Sequence, residues 1–330
     1  MVKRVSQRRS KILALAGGVG GAKLAHGLAQ LLPPPDLTIV VNTGDDFQHF
    51  GLHISPDLDT VCYTLAGLAN PATGWGREAE SWTVMEAVSL LGGPLWFQLG
   101  DRDLGTHLER TRRLKEGQSL SEITRCFCQA WGLLPDVLPM SDDPLSTMVH
   151  TPQGVLPFQE YFVHLRCEPQ VTGFHFEGLE QARPAPGVLP AIQQASAVVV
   201  CPSNPWVSIA PILELPGLKP ALQGRPVVAV SPIIAGQAVK GPAAKMYREL
   251  GIQPAAAAVA AHYGSLLDGG LLSGFVIDRQ DAAQAQAIAA TGLAVLVTQT
   301  LMLDPAGRRE LARKVLEFVN ELPAPGVVIS

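Results

Sequence analysis

A short apolar run, Ile12-Leu13-Ala14-Leu15-Ala16, breaks abruptly into Gly17-Gly18-Val19-Gly20-Gly21 and resumes as Ala22-Lys23-Leu24-Ala25-His26-Gly27-Leu28. The run reads as a buried strand, and Leu24, Leu28 and Leu31 recur at helical spacing. Strand, glycine turn and helix in succession aim free backbone N–H groups and the positive end of a helix at whatever sits above the turn. Phosphate oxygens fit that place, and a Cβ in the turn would hold them away. The spacing is not the dinucleotide fingerprint, because Lys23 stands where its third glycine would fall. Nor is it a P-loop, since no Gly-Lys-Ser/Thr closes it. A tight turn that binds nothing is the competing reading.

The same alternation continues down the chain. Pro33-Pro34-Pro35 forces a break, and Leu37 to Val41 reads as a second strand. Leu95 to Leu99 is a third apolar run, closing on Gly100-Asp101-Arg102-Asp103. Further strands are expected at 197–201, 226–230, 274–278 and 294–297, and helices at 78–91, 107–115, 119–131, 281–291 and 305–320. Alternation of this kind predicts an α/β fold with a doubly wound, mainly parallel, Rossmann-like sheet. Between 148 and 180 the pattern shortens to alternating stretches around Val149, Phe158, Tyr161 and Phe174, which predicts an inserted smaller lobe. The expected division is therefore a basic tail 1–10, a core 11–147 and 181–322, the lobe 148–180, and a C-terminal tail 323–330.

In open parallel sheets, ligands gather at the carboxyl edge. Here strand ends are polar: Asn42-Thr43-Gly44-Asp45-Asp46, then Ser203-Asn204, then Ser231 through Gly236. Adjacent carboxylates there are candidates for a divalent cation or a hydroxyl. Asp-rich turns and N-caps are the ordinary alternative, and Asp59 in Ser55-Pro56-Asp57-Leu58-Asp59-Thr60 is placed to cap a helix. Arg110, Arg112 and Arg113 form a basic helix face, either solvated surface or part of a polyphosphate site. A net charge of −4 argues against a nucleic-acid binder. The five cysteines are scattered, and Cys126 and Cys128 point different ways on a helix, which suits a reducing cytoplasm and no metal pair. Four histidines fall between 107 and 175 without metal-ligand spacing on one helix. Nothing resembles a signal peptide or a membrane span.

Seven blocks in order, GGVGGAKLAHGL, VNTGDDFQHFGLHISPDLDT, LGDRDLGTHLERTRRL, SDDP, FQEYFVHLRCEPQVTGFHFEG, PSNP and SPIIAGQAVKGPA, closely resemble the 2-phospho-L-lactate transferase family of coenzyme F420 biosynthesis. The resemblance spans about residues 11–320. It implies a phosphotransferase acting on substituted phosphate groups. A phospholactyl or phosphoenolpyruvyl group passes from a guanosine diphospho-carboxylic acid (LPPG or its phosphoenolpyruvate analogue) to the ribityl hydroxyl of the deazaflavin Fo, and GMP is released. The resemblance also implies a Mg²⁺ requirement, met through Asp45, Asp46 or Asp59, with one of these carboxylates free to accept the hydroxyl proton instead. Asp59 and Gln98 match acceptor contacts of the family, and Asp101 belongs to the same block. Gly18, Val19, Gly20, Gly21 and Lys23 are expected at the donor phosphates, and Ser203, Asn204, Ser231 and Gly236 on the guanosine side. Dimers are usual in the family, which also implies a small-molecule enzyme acting without membrane or nucleic acid. The rival reading is a non-catalytic nucleotide or nucleotide-sugar-binding regulator of the gluconeogenesis-factor type on the same fold. A nicotinamide oxidoreductase has only the glycine count in its favour.

Overall fold

Both faces of the central sheet are covered, which is why its strands read as unbroken apolar runs. The computed structural model describes residues 11–322, so the basic segment 1–10 and the tail 323–330 lie outside the described residues. The sheet comprises β1 (Ile12–Ala16), β2 (Leu37–Val41), β3 (Asp136–Pro139), β4 (Ala197–Val200), β5 (Val227–Val230), β6 (Gly274–Asp278) and β7 (Ala294–Thr298). All neighbours pair in parallel, in the order β7-β6-β5-β4-β1-β2-β3. That is the Rossmann order with one strand added, and its direction reverses between β1 and β4. Successive side chains of β1 enter opposite cores. Leu13 and Leu15 join Val198, Val200 and Phe275, whereas Ile12, Ala14 and Ala16 join Ile39, Val41 and Val199.

The helices that shape the site are α1 (Gly18–Ala29), α2 (Pro56–Leu65), α3 (Thr83–Leu90), α4 (Asp101–Lys115) and α5 (Leu120–Ala130). α1 packs against both α2 and the helix Pro305–Glu321. Between β3 and β4 lies a three-stranded antiparallel sheet, with Ser146–Thr151 flanked by Gly154–Pro157 and Gly173–Glu177. Its core of Val149, Phe158, Tyr161 and Val171 also holds Val207 and Met246 from beyond β4, which anchors this small sheet beside the switch point. Among the described residues no helix is long and apolar enough to cross a membrane.

Three expectations need correction. Residues 95–99 do not join the sheet; they form a loop. Leu99 is buried with Ile54, Met85 and Leu104 in a separate small core, and Phe97 meets Phe47 edge-on at 4.8 Å. The outer strand is Asp136–Pro139 instead, whose closing proline and exposed Asp136 hide it from a reading of apolar runs. The helix expected at 78–91 is only Thr83–Leu90, because Asp101 accepts the N–H groups of Thr83 and Val84 at 3.1 Å and sets its start. The stretch 281–291 is a 3₁₀ segment, Arg279–Gln284, running into a short helix, Ala285–Ala289.

Candidate active site

At the switch point two loops interlock. A Cβ on Gly20 would run into the Pro202 carbonyl oxygen, so only glycine lets the turn after β1 lie against the loop after β4. Ser203 Oγ accepts from Gly17 N at 3.1 Å and donates to Gly17 O at 2.8 Å, fastening one loop to the other. Gly18 adopts φ +61° and gives its N–H to Asp57 Oδ1 at 2.7 Å. The next amides of α1 begin a helix and have no intrahelical acceptor. Above this junction opens a cavity of about 650 Å³, within the range of about 300–1,000 Å³ usual for small-molecule sites.

The cavity has two unlike ends. At the glycine turn stand Asp45, from the carboxyl edge of β2, and Asp57, from the first turn of α2. Asp45 is buried, and among the described residues its Oδ1 has no hydrogen-bond partner. Burial pushes its carboxyl well above the usual range, and neighbouring Asp57 and Asp46 push it further. Asp57 is raised to about 6, chiefly by burial, although Asn42 and Gly18 donate to it. No cationic side chain forms an ion pair with either carboxylate among the described residues. Lys23 and Lys240 also face the cavity and bond only carbonyls, Lys23 to Met302 O at 2.9 Å and Lys240 to Thr73 O. Burial, then Arg308 and Lys240, lower the Lys23 ammonium. This end thus holds anions without cations and cations without anions.

At the other end each carboxylate has donors, and one of the two has a cation. Arg110, fully buried on α4, forks both oxygens of Asp59, Nη1 to Oδ2 at 3.0 Å and Nη2 to Oδ1. Arg110 Nη1 also donates to His107 Nδ1 at 3.2 Å, which leaves the imidazole proton on Nε2. That nitrogen faces Asp103 Oδ1 at 3.4 Å. Tyr63 Oη donates to the same Asp103 oxygen at 2.7 Å. Burial works against the Asp103 charge, but the bonds from His107 and Tyr63 outweigh it and hold the carboxyl below its usual range. Asp59, Tyr63, Asp103 and His107 all face the cavity. The lining also includes an aromatic group, Trp96 and Phe97 from the loop before α4 with Phe158 and Phe162 from the helical turn after Gly154–Pro157. Trp96 stacks on His164 with centroids 5.1 Å apart.

Of the residues singled out in the sequence, Gly18, Val19, Gly20, Lys23 and Asp45 line the cavity, as do Asp59, Gln98, Ser203, Asn204 and Ser231. Four do not. Asp46 lies behind, accepting from Ser55 Oγ at 2.6 Å and His53 Nε2 at 3.0 Å. Asp101 caps α3 from the surface. Gly21 is buried against Ser203, whose Oγ would lie 2.6 Å from a Cβ there. Gly236, at φ +74°, makes the turn between Ile233–Ile234 and Gln237–Ala238. Three residues were missed: Asp57, Asp103 and Lys240. Asp57 stood two residues before Asp59 in the same block, and one turn of helix separates Asp103 from His107. Arg112 and Arg113, read as a possible phosphate face, instead grip Glu109 on the outer surface of α4.

The model of the family described as 2-phospho-L-lactate transferase CofD matches residues 12–316. A phosphoenolpyruvate transferase from Streptomyces griseus is 44% identical over 321 residues, covering 95% of this chain and 100% of its own. Proteins of that name from Streptomyces coelicolor and Mycolicibacterium smegmatis are 42% and 38% identical, each over 94% of this chain and 99% of the relative. Two X-ray structures of a Bacillus halodurans protein, assigned in one to the UPF0052 family, superpose with TM-scores of 0.59 and 0.63. They cover 96% and 95% of this chain and all of theirs, at 14% and 15% identity, and so speak for the fold alone.

Proposed function

The chain belongs to the 2-phospho-L-lactate transferase CofD family, a transferase family of coenzyme F420 biosynthesis, and on that premise we propose how its cavity does the work. The donor is a guanosine diphospho-carboxylic acid, and the names of the relatives favour the phosphoenolpyruvate-derived form. The acceptor is the deazaflavin Fo. Its terminal ribityl oxygen forms a bond to the phosphorus carrying the three-carbon acid, the bond from that phosphorus to the GMP oxygen breaks, and the hydroxyl proton is lost.

The observation that carries this reading is the pair Asp45 and Asp57, two buried carboxylates facing the phosphate turn that no cationic side chain pairs with among the described residues. Oxygen donors of this kind suit Mg²⁺, and the orphaned Asp45 Oδ1 offers a ligand position. Mg²⁺ there supplies neutralisation of diphosphate oxygens. Of the carboxylates first expected to hold the metal, Asp46 lies behind the cavity on His53 and Ser55, and Asp59 is paired with the Arg110 guanidinium, whereas Asp57 accepts only from the neutral donors Gly18 N and Asn42 Nδ2. Phosphoryl transfer asks mainly for position and charge. The first amides of α1 hold phosphate oxygens without adding mobile charge, and Lys23 and Lys240 supply the countercharge they lack in the protein alone. Asn204 and Ser231 stand on the guanosine side. Trp96 and Phe97 give the deazaflavin ring a face to stack on, beside Gln98. Asp59, held in place by the Arg110 fork, orients the ribityl chain.

Incubating the purified protein with Fo, Mg²⁺ and either the lactyl or the enolpyruvyl donor tests this. GMP and an F420-0-type product are expected, faster with the enolpyruvyl donor. Binding of a guanosine nucleotide with no GMP release and no product would favour the regulator.

A further inference from the structure

Four carboxylates line the cavity, and their partners separate them by task. Asp57 spends one oxygen on Gly18 N and the other on Asn42 Nδ2. Asp45 and Asp57 face the phosphate turn, where a cation belongs. Asp59 has both oxygens in the fork of a fully buried guanidinium, so a proton arriving there would have to displace the strongest ion pair of the site. Asp103 differs from all three. Its Oδ1 is fixed by the Tyr63 hydroxyl and faces the His107 ring, and among the described residues no side chain bonds Oδ2. It projects from the first turn of α4, immediately beyond the loop that carries Trp96, Phe97 and Gln98.

Resting on the transferase reading above, we propose that Asp103 is the catalytic carboxylate that takes the proton of the attacking ribityl hydroxyl, while Tyr63, His107 and the Asp59–Arg110 pair are positioning groups. The hydroxyl proton passes to Asp103 Oδ2 as the oxygen–phosphorus bond forms, and it leaves to solvent after GMP departs. Tyr63 Oη and His107 Nε2 both lie on the Oδ1 side, which leaves Oδ2 as the oxygen of this cavity-lining carboxylate available to the hydroxyl. His107 cannot itself be the base, because Arg110 occupies Nδ1 and Nε2 carries the proton. A strong base is unnecessary: in a loose phosphoryl-transfer transition state the proton moves late, and an ordinary aspartate suffices to orient the hydroxyl and receive it.

The test is steady-state turnover with Fo, enolpyruvyl donor and Mg²⁺, beside donor and Fo binding measured by titration. Asp103→Asn keeps the shape and the Oδ1 partners, so its kcat is expected to fall by about 10²–10⁴-fold, with both dissociation constants within about threefold of wild type. Asp59→Asn is expected to weaken Fo binding more than it slows turnover of the bound complex. Tyr63→Phe guards against an Asp103 variant that does not fold: freeing the carboxylate lowers kcat several-fold while donor affinity stays. Asp103→Asn with more than a third of wild-type kcat, or Tyr63→Phe with unchanged kcat, overturns the assignment. A wild-type protein that makes no GMP at all instead overturns the reading on which it rests.

Discussion

The two carboxylate clusters of the cavity each draw one member from α2, Asp57 and Asp59, two residues apart, yet they are opposites. Asp59 meets a buried arginine, while Asp57 meets another aspartate. Where charge is compensated, the arrangement is rigid before any ligand arrives, and the cost of burial has been offset within the protein. Where it is not, the protein has buried carboxylates that favour protonation or a bound cation. A site that must hold its acceptor in one orientation benefits from the first condition. One that must recruit a metal with its diphosphate benefits from the second. The difference is therefore a division of labour along the cavity, and it can be broken at either end.

The largest effect is expected at the compensated end. Arg110→Leu leaves Asp59 buried without its partner, and should destabilise the fold by about 3–5 kcal/mol. Asp45→Asn removes one member of an uncompensated cluster, so the metal-free protein should be unchanged or slightly more stable while turnover collapses. Urea denaturation of both variants checks the contrast. Equal losses of stability would mean that the two clusters are not electrostatically different.

A smaller effect, up to about 3 kcal/mol on the scale of 1.36 kcal/mol per pKa unit, is expected from pH. Asp57 is raised to about 6 from an ordinary 3.8, so between those values the folded chain binds more protons than the unfolded one. Stability of the metal-free protein should then fall as pH rises from about 4 to about 6 and stay lower above. The Asp45 carboxyl, also raised by burial, adds to the fall. Mg²⁺ should raise the melting temperature more at pH 7.5 than at pH 5, by an amount that grows with its concentration. A Mg²⁺ shift that is the same at both pH values would place the metal elsewhere.

Much of this was legible in the chain because the relevant physics is local. An apolar run buried on both faces announces a parallel strand, and a glycine turn before a helix announces a place for anions, so β1, β2, β4, β5 and β6 could be read from the residues. The outer strand Asp136–Pro139 could not, since a short edge strand needs only one covered face and its apolar signal is weak. Residues 95–99 misled for the converse reason: they are apolar because they serve a small local core and a cavity wall. Among the site residues, Asp45 and Asp59 were found, but what distinguishes them is the partner, and partners come from remote segments. Arg110 is 51 positions from Asp59, and no spacing rule connects them. Asp101 and Asp103 show the same limit at shorter range. Both open α4, two residues apart, yet one caps α3 on the surface and the other faces the cavity.

At the donor end, Asn204→Ala should have a moderate effect. The side chain accepts from Trp206 N at 3.0 Å and lies against Met246 Sδ, so it both sets the loop after β4 and faces the cavity. Losing one such bond costs about 1 kcal/mol, which corresponds to roughly fivefold weaker donor binding, with Fo affinity unmoved. Equal weakening of donor and acceptor, measured by titration of each, would count against the guanosine-side role proposed for this loop.

The smallest effect belongs to the face of α4 turned away from the cavity. Arg112 donates to Glu109 at 2.8 Å and reaches Glu116, and both arginines of this face hold Glu109 well down, to about 2. Such pairs look strong in a static picture. In water they are screened, and holding two long side chains together costs entropy, so each is worth about 0–1 kcal/mol. Arg112→Ala should shift stability by less than about 0.5 kcal/mol, and less still in high salt, with donor affinity unchanged. Two residues of one helix therefore separate the largest stability loss expected here, at Arg110, from one of the smallest, although both are arginines paired to acids. What differs is burial alone: Arg110 has no water to fall back on, and Arg112 does. If Arg112→Ala instead weakened donor binding, the basic face of α4 would belong to the polyphosphate site after all, and the boundary between the compensated end of the cavity and the solvated surface would have to be redrawn.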